Sequence, residues 1–111
     1  LMMRDLSNDR YGIAYTGMPF KTPQTKALAL AERPGEPYVE LTLDNVQARR
    51  YPLLRDVYYY LKREKGKPLD PNAREFLRYV LSREGQAAVQ RDGKYLPLTA
   101  QAAAEQLRKL N

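Results

Sequence analysis

The chain has 111 residues, 43% hydrophobic and 29% charged, a balance typical of a folded domain rather than a disordered segment. It has no cysteine and no histidine, which excludes disulfides and thiolate metal sites and removes the commonest general base. We therefore predict no metal, no cofactor and no enzymatic activity. The net charge of +6 suits an oxyanion, a nucleic acid or an anionic membrane surface. No apolar run approaches the roughly 20 residues that span a bilayer.

Short apolar runs and turns alternate in the first part of the chain. Residues 1–8 have the apolar spacing of the end of a helix, and residues 11–15 and 26–30 have the composition of buried strands. A turn rich in proline and glycine follows at residues 33–37. Beyond it, a short extended piece leads to Asp44-Asn45, which we expect to cap a single helical turn.

Residues 53–61 are predicted to form a central strand. The proline in Tyr51-Pro52 disfavours a helical conformation for the residue before it, so the chain enters this segment extended. Val57 and the tyrosines at 58–60 are β-branched or aromatic, and apolar side chains at both odd and even positions are typical of a strand covered on both faces.

Three helices are predicted in the last part of the chain, each beginning with a capping side chain. The caps are Asp70, with Pro71 at the first helical position, then Ser82 and Thr99. The first helix has a buried face made of Ala73, Phe76, Leu77, Val80 and Leu81. Gly93 is predicted to end the second helix in the left-handed conformation.

The order of these elements predicts a mixed α/β fold, with few strands followed by clustered C-terminal helices. The strands are too few for a self-sufficient doubly wound sheet. Gly85-Gln86, near the start of the second helix, indicates close helix packing, because glycine lets another backbone approach.

Four short motifs follow one another in a fixed order: Tyr51-Pro52-Leu53-Leu54-Arg55, Leu69-Asp70-Pro71, Ser82-Arg83-Glu84-Gly85-Gln86 and Gly93-Lys94-Tyr95-Leu96-Pro97-Leu98. With the strand Tyr11-Gly12-Ile13-Ala14-Tyr15 before them, they resemble the C-terminal part of the phosphate-binding branch of type II periplasmic solute-binding proteins. The chain departs from that family's pattern at Leu54, where serine is frequent, at Ala14, where glycine is usual, and at the inserted Lys94.

This resemblance implies a portion of a two-lobed receptor of an ABC importer. The whole chain would be one partial domain, with residues 1–50 ending one lobe and residues 51–111 supplying a hinge strand and the helices that return to the other lobe. The resemblance implies binding of phosphate or a similar oxyanion and an ABC permease as partner. It also implies a periplasmic or extracellular location, membrane-associated through the transporter, with any export signal outside this chain. Sulfate and molybdate remain open as solutes, because receptors for them share the architecture.

Four residues are candidates for ligand contacts. The resemblance places Tyr51 and Arg55 at the hinge beside the cleft, where Arg55 is expected either to bind an anion or to form an ion pair. Tyr15 and Thr16 lie at the end of a predicted strand, at the edge where α/β sheets usually present ligand contacts. The alternative is that these four side chains serve only the fold, by packing or by forming surface ion pairs. In the family, most anion-binding residues lie upstream of the stretch that this chain resembles.

Two alternatives remain open. The basic charge and the tyrosines interleaved with Lys and Arg also fit a nucleic-acid-binding module, which we rank below the receptor. An isolated part-lobe leaves strand edges unpaired, so we expect the chain either to self-associate or to form one piece of a longer protein.

Overall fold

The computed structural model describes all 111 residues, which form two compact units, Leu1–Leu54 and Arg55–Asn111. The regular structure is helical. It comprises α1 (Met2–Asn8), a short 3₁₀ helix (Met18–Phe20), α2 (Leu43–Gln47), α3 (Pro71–Val80), α4 (Arg83–Asp92) and α5 (Ala100–Arg108). None of these helices is both long enough and apolar enough to cross a bilayer.

No β-strand forms, which corrects the strands predicted at residues 11–15, 26–30 and 53–61. A single antiparallel bridge joins Leu30 to Val39 through two backbone hydrogen bonds of 2.9 and 2.8 Å. The physical reason is that a strand exists only where a neighbouring strand pairs with its backbone N–H and C=O groups. Apart from the bridge at Leu30, these segments have no such neighbour, so the α/β part of the predicted fold class is not confirmed.

The unit Leu1–Leu54 has little buried apolar surface. Tyr11, Ile13 and Tyr15 stand at alternate positions of the irregular segment after α1, and all three are exposed. Tyr51 is the buried hydrophobic side chain of this unit. The predicted turn forms at residues 33–36, where the Glu36 N–H donates to the Arg33 carbonyl and a positive φ at Gly35 reverses the chain.

The capping predictions for the unit Arg55–Asn111 are confirmed. The Asp70 carboxylate accepts a hydrogen bond from the Ala73 N–H, at 2.9 Å. The hydroxyls of Ser82 and Thr99 accept from the backbone N–H groups three residues further along, at 3.1 and 3.2 Å. Gly93 ends α4 with a φ of 72°, the left-handed conformation that glycine adopts without a Cβ clash.

A small leucine core holds this second unit together. Leu69, Leu77 and Leu110 are buried, and Leu81 and Leu107 pack against them half-buried. The predicted apolar face of α3 is therefore correct at Leu77. Phe76 departs from it: its side chain is 55% exposed, and its ring meets Tyr59 edge-on with the centroids 6.1 Å apart.

The first turn of α4 abuts the carbonyl end of α3 at Gly85, which confirms the predicted close packing. A Cβ placed on Gly85 would collide with the Tyr79 carbonyl oxygen and would lie 2.7 Å from the Val80 oxygen. The neighbouring Gln86 then bridges two segments. Its amide Nε2 donates to the Val80 carbonyl at 2.8 Å, and its Oε1 accepts from the Leu98 N–H at 2.7 Å. The motif around Gly85-Gln86 is thus joined to the motif that ends at Leu98.

We expect the substitution Gly85→Ala to destabilise the helical unit by about 1–3 kcal/mol, because the new methyl group meets rigid backbone oxygens rather than a flexible side chain. Urea unfolding followed by far-UV circular dichroism measures the change. Gly17→Ala is the matched control, since its Cβ would make only ordinary contacts of 3.6 Å and its φ of −68° suits alanine. Equal stability of the two variants would contradict the packing role of Gly85.

Candidate functional site

Tyr51, the first residue of the hinge-like motif, is fixed inside the unit Leu1–Leu54. Its side chain is only 7% exposed, and its hydroxyl donates a hydrogen bond of 3.0 Å to the Leu28 carbonyl. Leu28 lies 23 residues earlier in the chain, so this bond ties the segment before the Leu30–Val39 bridge to the end of the unit. A buried hydroxyl needs such a partner, since leaving it unpaired costs the desolvation of a polar group.

Asn45 organises the corner of chain that leads into Tyr51. Its side-chain Nδ2 donates to the Glu40 carbonyl at 2.9 Å, while its backbone carbonyl accepts from the N–H groups of Arg50 and Tyr51. Its Oδ1 accepts two hydrogen bonds from the Arg50 guanidinium, at 3.1 and 2.9 Å. A single asparagine therefore closes this corner of the chain through both the nitrogen and the oxygen of its side-chain amide.

The sequence pattern predicted a different role for Asn45, as part of the cap of the short helix α2. The cap is Thr42, whose hydroxyl accepts from the Asn45 N–H at 3.1 Å. The signal for it was present, because threonine is a preferred N-cap residue whose hydroxyl accepts from a backbone N–H in the first helical turn. The bonds that Asn45 makes to Glu40 and Arg50 span five residues each and follow no periodic pattern.

Arg50 and Arg55, on either side of Tyr51 in the sequence, differ in their surroundings. The Arg50 guanidinium gives two of its five N–H donors to the side-chain oxygen of Asn45, which fixes its orientation. Arg55 opens the second unit and is exposed. An exposed guanidinium presents five donors in a planar fork that matches the geometry of a phosphate or carboxylate. The contact of Arg55 with a ligand remains a prediction.

Tyr15 and Thr16 lie in the irregular segment between α1 and the 3₁₀ helix, and both are exposed, Tyr15 to 83%. No hydrogen bond joins either of them to Tyr51. The structure thus buries Tyr51 and leaves Tyr15, Thr16 and Arg55 at the surface. The ligand-binding roles of all four residues remain predictions.

Two shallow hollows occur in the first unit, and their chemistry is poorly suited to an oxyanion. One is mainly apolar, lined by Leu1, Met2, Leu6 and Ile13 with the carboxylates of Asp5 and Asp9. The other surrounds the turn at residues 33–36 and carries two glutamates with one arginine. A carboxylate repels a phosphate dianion, and each of these hollows is lined by two residues with carboxylate side chains.

Comparison with known proteins shows the family. The PBP superfamily domain matches residues 2–84, about three quarters of the chain. The chain belongs to this superfamily of periplasmic-binding-protein domains, which fits the lobe expected from the ordered motifs.

Two curated relatives extend the similarity over almost the whole chain. Both are named phosphate-binding protein PstS and come from two strains of Pseudomonas aeruginosa. Each is 38% identical over 109 residues, which cover 98% of this chain and 33% of the relative. The chain therefore spans about one third of the length of these relatives. Their names describe solute-binding proteins, so the nucleic-acid-binding alternative gains no support.

We expect Tyr51→Phe to destabilise the unit Leu1–Leu54 by about 1 kcal/mol, because it removes the hydroxyl and leaves the Leu28 carbonyl without that donor. Hydrogen exchange of the backbone amides around the Leu30–Val39 bridge measures the loss, and we expect faster exchange there. Tyr38→Phe is the control, since Tyr38 is 78% exposed. Unchanged exchange in Tyr51→Phe would show that this bond does not stabilise the unit.

Proposed function

We propose that the chain is the C-terminal portion of a receptor that binds phosphate and delivers it to an ABC importer. The observation that carries this proposal is the 38% identity to two phosphate-binding proteins over 98% of the chain. In the proposed arrangement, residues 1–50 end one lobe, and residues 51–111 cross to the other lobe and supply its packing helices. The receptor acts in the periplasm or outside the cell and meets the membrane through the permease of the importer.

The mechanism needs no covalent chemistry. A two-lobed receptor closes around its solute, and closure is stabilised by contacts that form only in the closed state. The contribution of this chain is a scaffold held by hydrogen bonds between separate segments, with Tyr51 holding the Leu28 carbonyl and Gln86 joining α3, α4 and Leu98. Such fixed elements position a cleft wall within the tolerance that charge-assisted hydrogen bonds require.

The anion contacts from this chain are proposed for its exposed residues. Arg55 supplies the positive charge and the donors, and Tyr15 and Thr16 supply hydroxyl groups. Tyr51 supports the cleft wall and does not donate to the anion, because its hydroxyl already donates to the Leu28 carbonyl. The two hollows of the first unit contribute no anion site, since each carries carboxylates. The remaining donors must come from the larger part of the receptor.

The test replaces the matching third of the Pseudomonas phosphate-binding protein with this chain. We expect the chimera to bind phosphate in a calorimetric titration, while this chain alone shows no saturable binding. Replacing Arg55 by Gln in the chimera should weaken the affinity roughly tenfold or more, the value of a charge-assisted hydrogen bond. Arg63→Gln is the control, because Arg63 is also exposed but uses its Nε on the Lys67 carbonyl.

The outcomes distinguish the receptor function from the role of Arg55 in it. A folded chimera without phosphate affinity would contradict the proposed function. A chimera that binds phosphate equally well with glutamine at position 55 would remove Arg55 from the site and leave the receptor function standing. Sulfate, titrated in parallel, reports whether the solute is phosphate or a related oxyanion.

A further inference from the structure

Half of the chain's net positive charge lies in one loop, residues 62–67, which we call the basic loop. It contains four basic side chains and one acidic side chain, a net charge of +3 out of the chain's +6. Every residue of the basic loop is exposed. Charged side chains are almost never fully buried without a partner, so we expect this loop to stay in solvent whatever else packs against the chain. The exposed apolar side chains differ, because their exposure depends on what covers them.

A tight turn within the basic loop pairs its one acidic side chain. The Lys67 N–H donates to the Glu64 carbonyl at 3.1 Å, and the Lys67 ammonium lies 2.5 Å from a carboxylate oxygen of Glu64. Gly66 has a φ of 77°, a left-handed conformation that glycine adopts without a Cβ clash. Arg63 donates from its Nε to the Lys67 carbonyl at 3.0 Å, which closes the loop. The negative charge of Glu64 is therefore balanced within the turn.

Lys62, Arg63 and Lys65 supply the charge that remains. No acidic side chain pairs with Lys62 or Lys65, and the Arg63 guanidinium keeps its charge at any physiological pH. The Cα atoms of Lys62 and Lys65 are at most about 11 Å apart, close to the Debye length of about 10 Å at 0.1 M salt. The three charges therefore act together on a charged surface that approaches the loop.

We propose that the basic loop binds the anionic headgroups of a phospholipid bilayer. Lysine predominates in this loop, and lysine is depleted in protein–protein interfaces, where arginine and aromatic residues are enriched. A lysine ammonium is a hydrated point charge on a flexible stem, which suits a surface of many mobile phosphate groups. Each basic residue at such a surface strengthens binding roughly fivefold. The contact is therefore weak and reversible, and it orients the chain at the membrane without anchoring it.

Sedimentation with sucrose-loaded vesicles tests this contact in the whole chain. We expect binding to vesicles of equal parts phosphatidylglycerol and phosphatidylcholine, and none to vesicles of phosphatidylcholine alone. The double variant Lys62→Gln, Lys65→Gln should bind roughly thirtyfold more weakly. The matched control is Lys21→Gln with Lys26→Gln, which removes two exposed lysines from the unit Leu1–Leu54 and gives the same net charge. The control should bind much as the unmodified chain does.

A third variant, Glu64→Gln, should gain affinity, which a misfolded chain would not do. The substitution adds one net positive charge to the loop and releases Lys67 from its ion pair. We therefore expect binding to the phosphatidylglycerol vesicles to be roughly fivefold stronger.

Several results would overturn the proposal. They are no binding to the phosphatidylglycerol vesicles, equal binding to phosphatidylcholine alone, an equal loss in the two double variants, and no gain in Glu64→Gln. Displacement from the vesicles by inorganic phosphate at matched ionic strength would also overturn it, because the loop would then be a site for the free anion. These readouts do not require a complete phosphate receptor, so their failure would leave the proposed function standing.

Discussion

The close approach of Gly85 to the carbonyl end of α3 sets the geometry of the whole helical unit. Because no side chain stands between them, α4 starts directly against Tyr79 and Val80, and the chain reverses within a few residues. Gln86, one position on, can then reach both the Val80 carbonyl and the Leu98 N–H. That second bond fixes the segment ahead of α5, whose C-terminal leucines complete the core around Leu77.

The two units of the chain differ because helices and strands obtain their hydrogen bonds from different places. A helix satisfies its backbone within its own residues, so the caps Asp70, Ser82 and Thr99 were predictable from local sequence and are present. A strand depends on a partner that local sequence does not supply. The aromatic and β-branched residues at 53–61 therefore predicted a strand, and none forms there, because no neighbouring backbone pairs with these residues.

The candidate site shows the same difference between features that local sequence predicts and contacts that depend on distant residues. The sequence singled out Tyr51 through its motif, but its hydrogen bond to Leu28 crosses 23 residues, and no periodic pattern encodes such a contact. The prediction that Asn45 caps α2 was wrong for the same reason. Its hydrogen-bond partners, Glu40 and Arg50, are set by how the chain turns there and not by helical spacing. Phe76 followed the helical period correctly and still lies outside the leucine core, because that period gives the face of a helix and not what covers it.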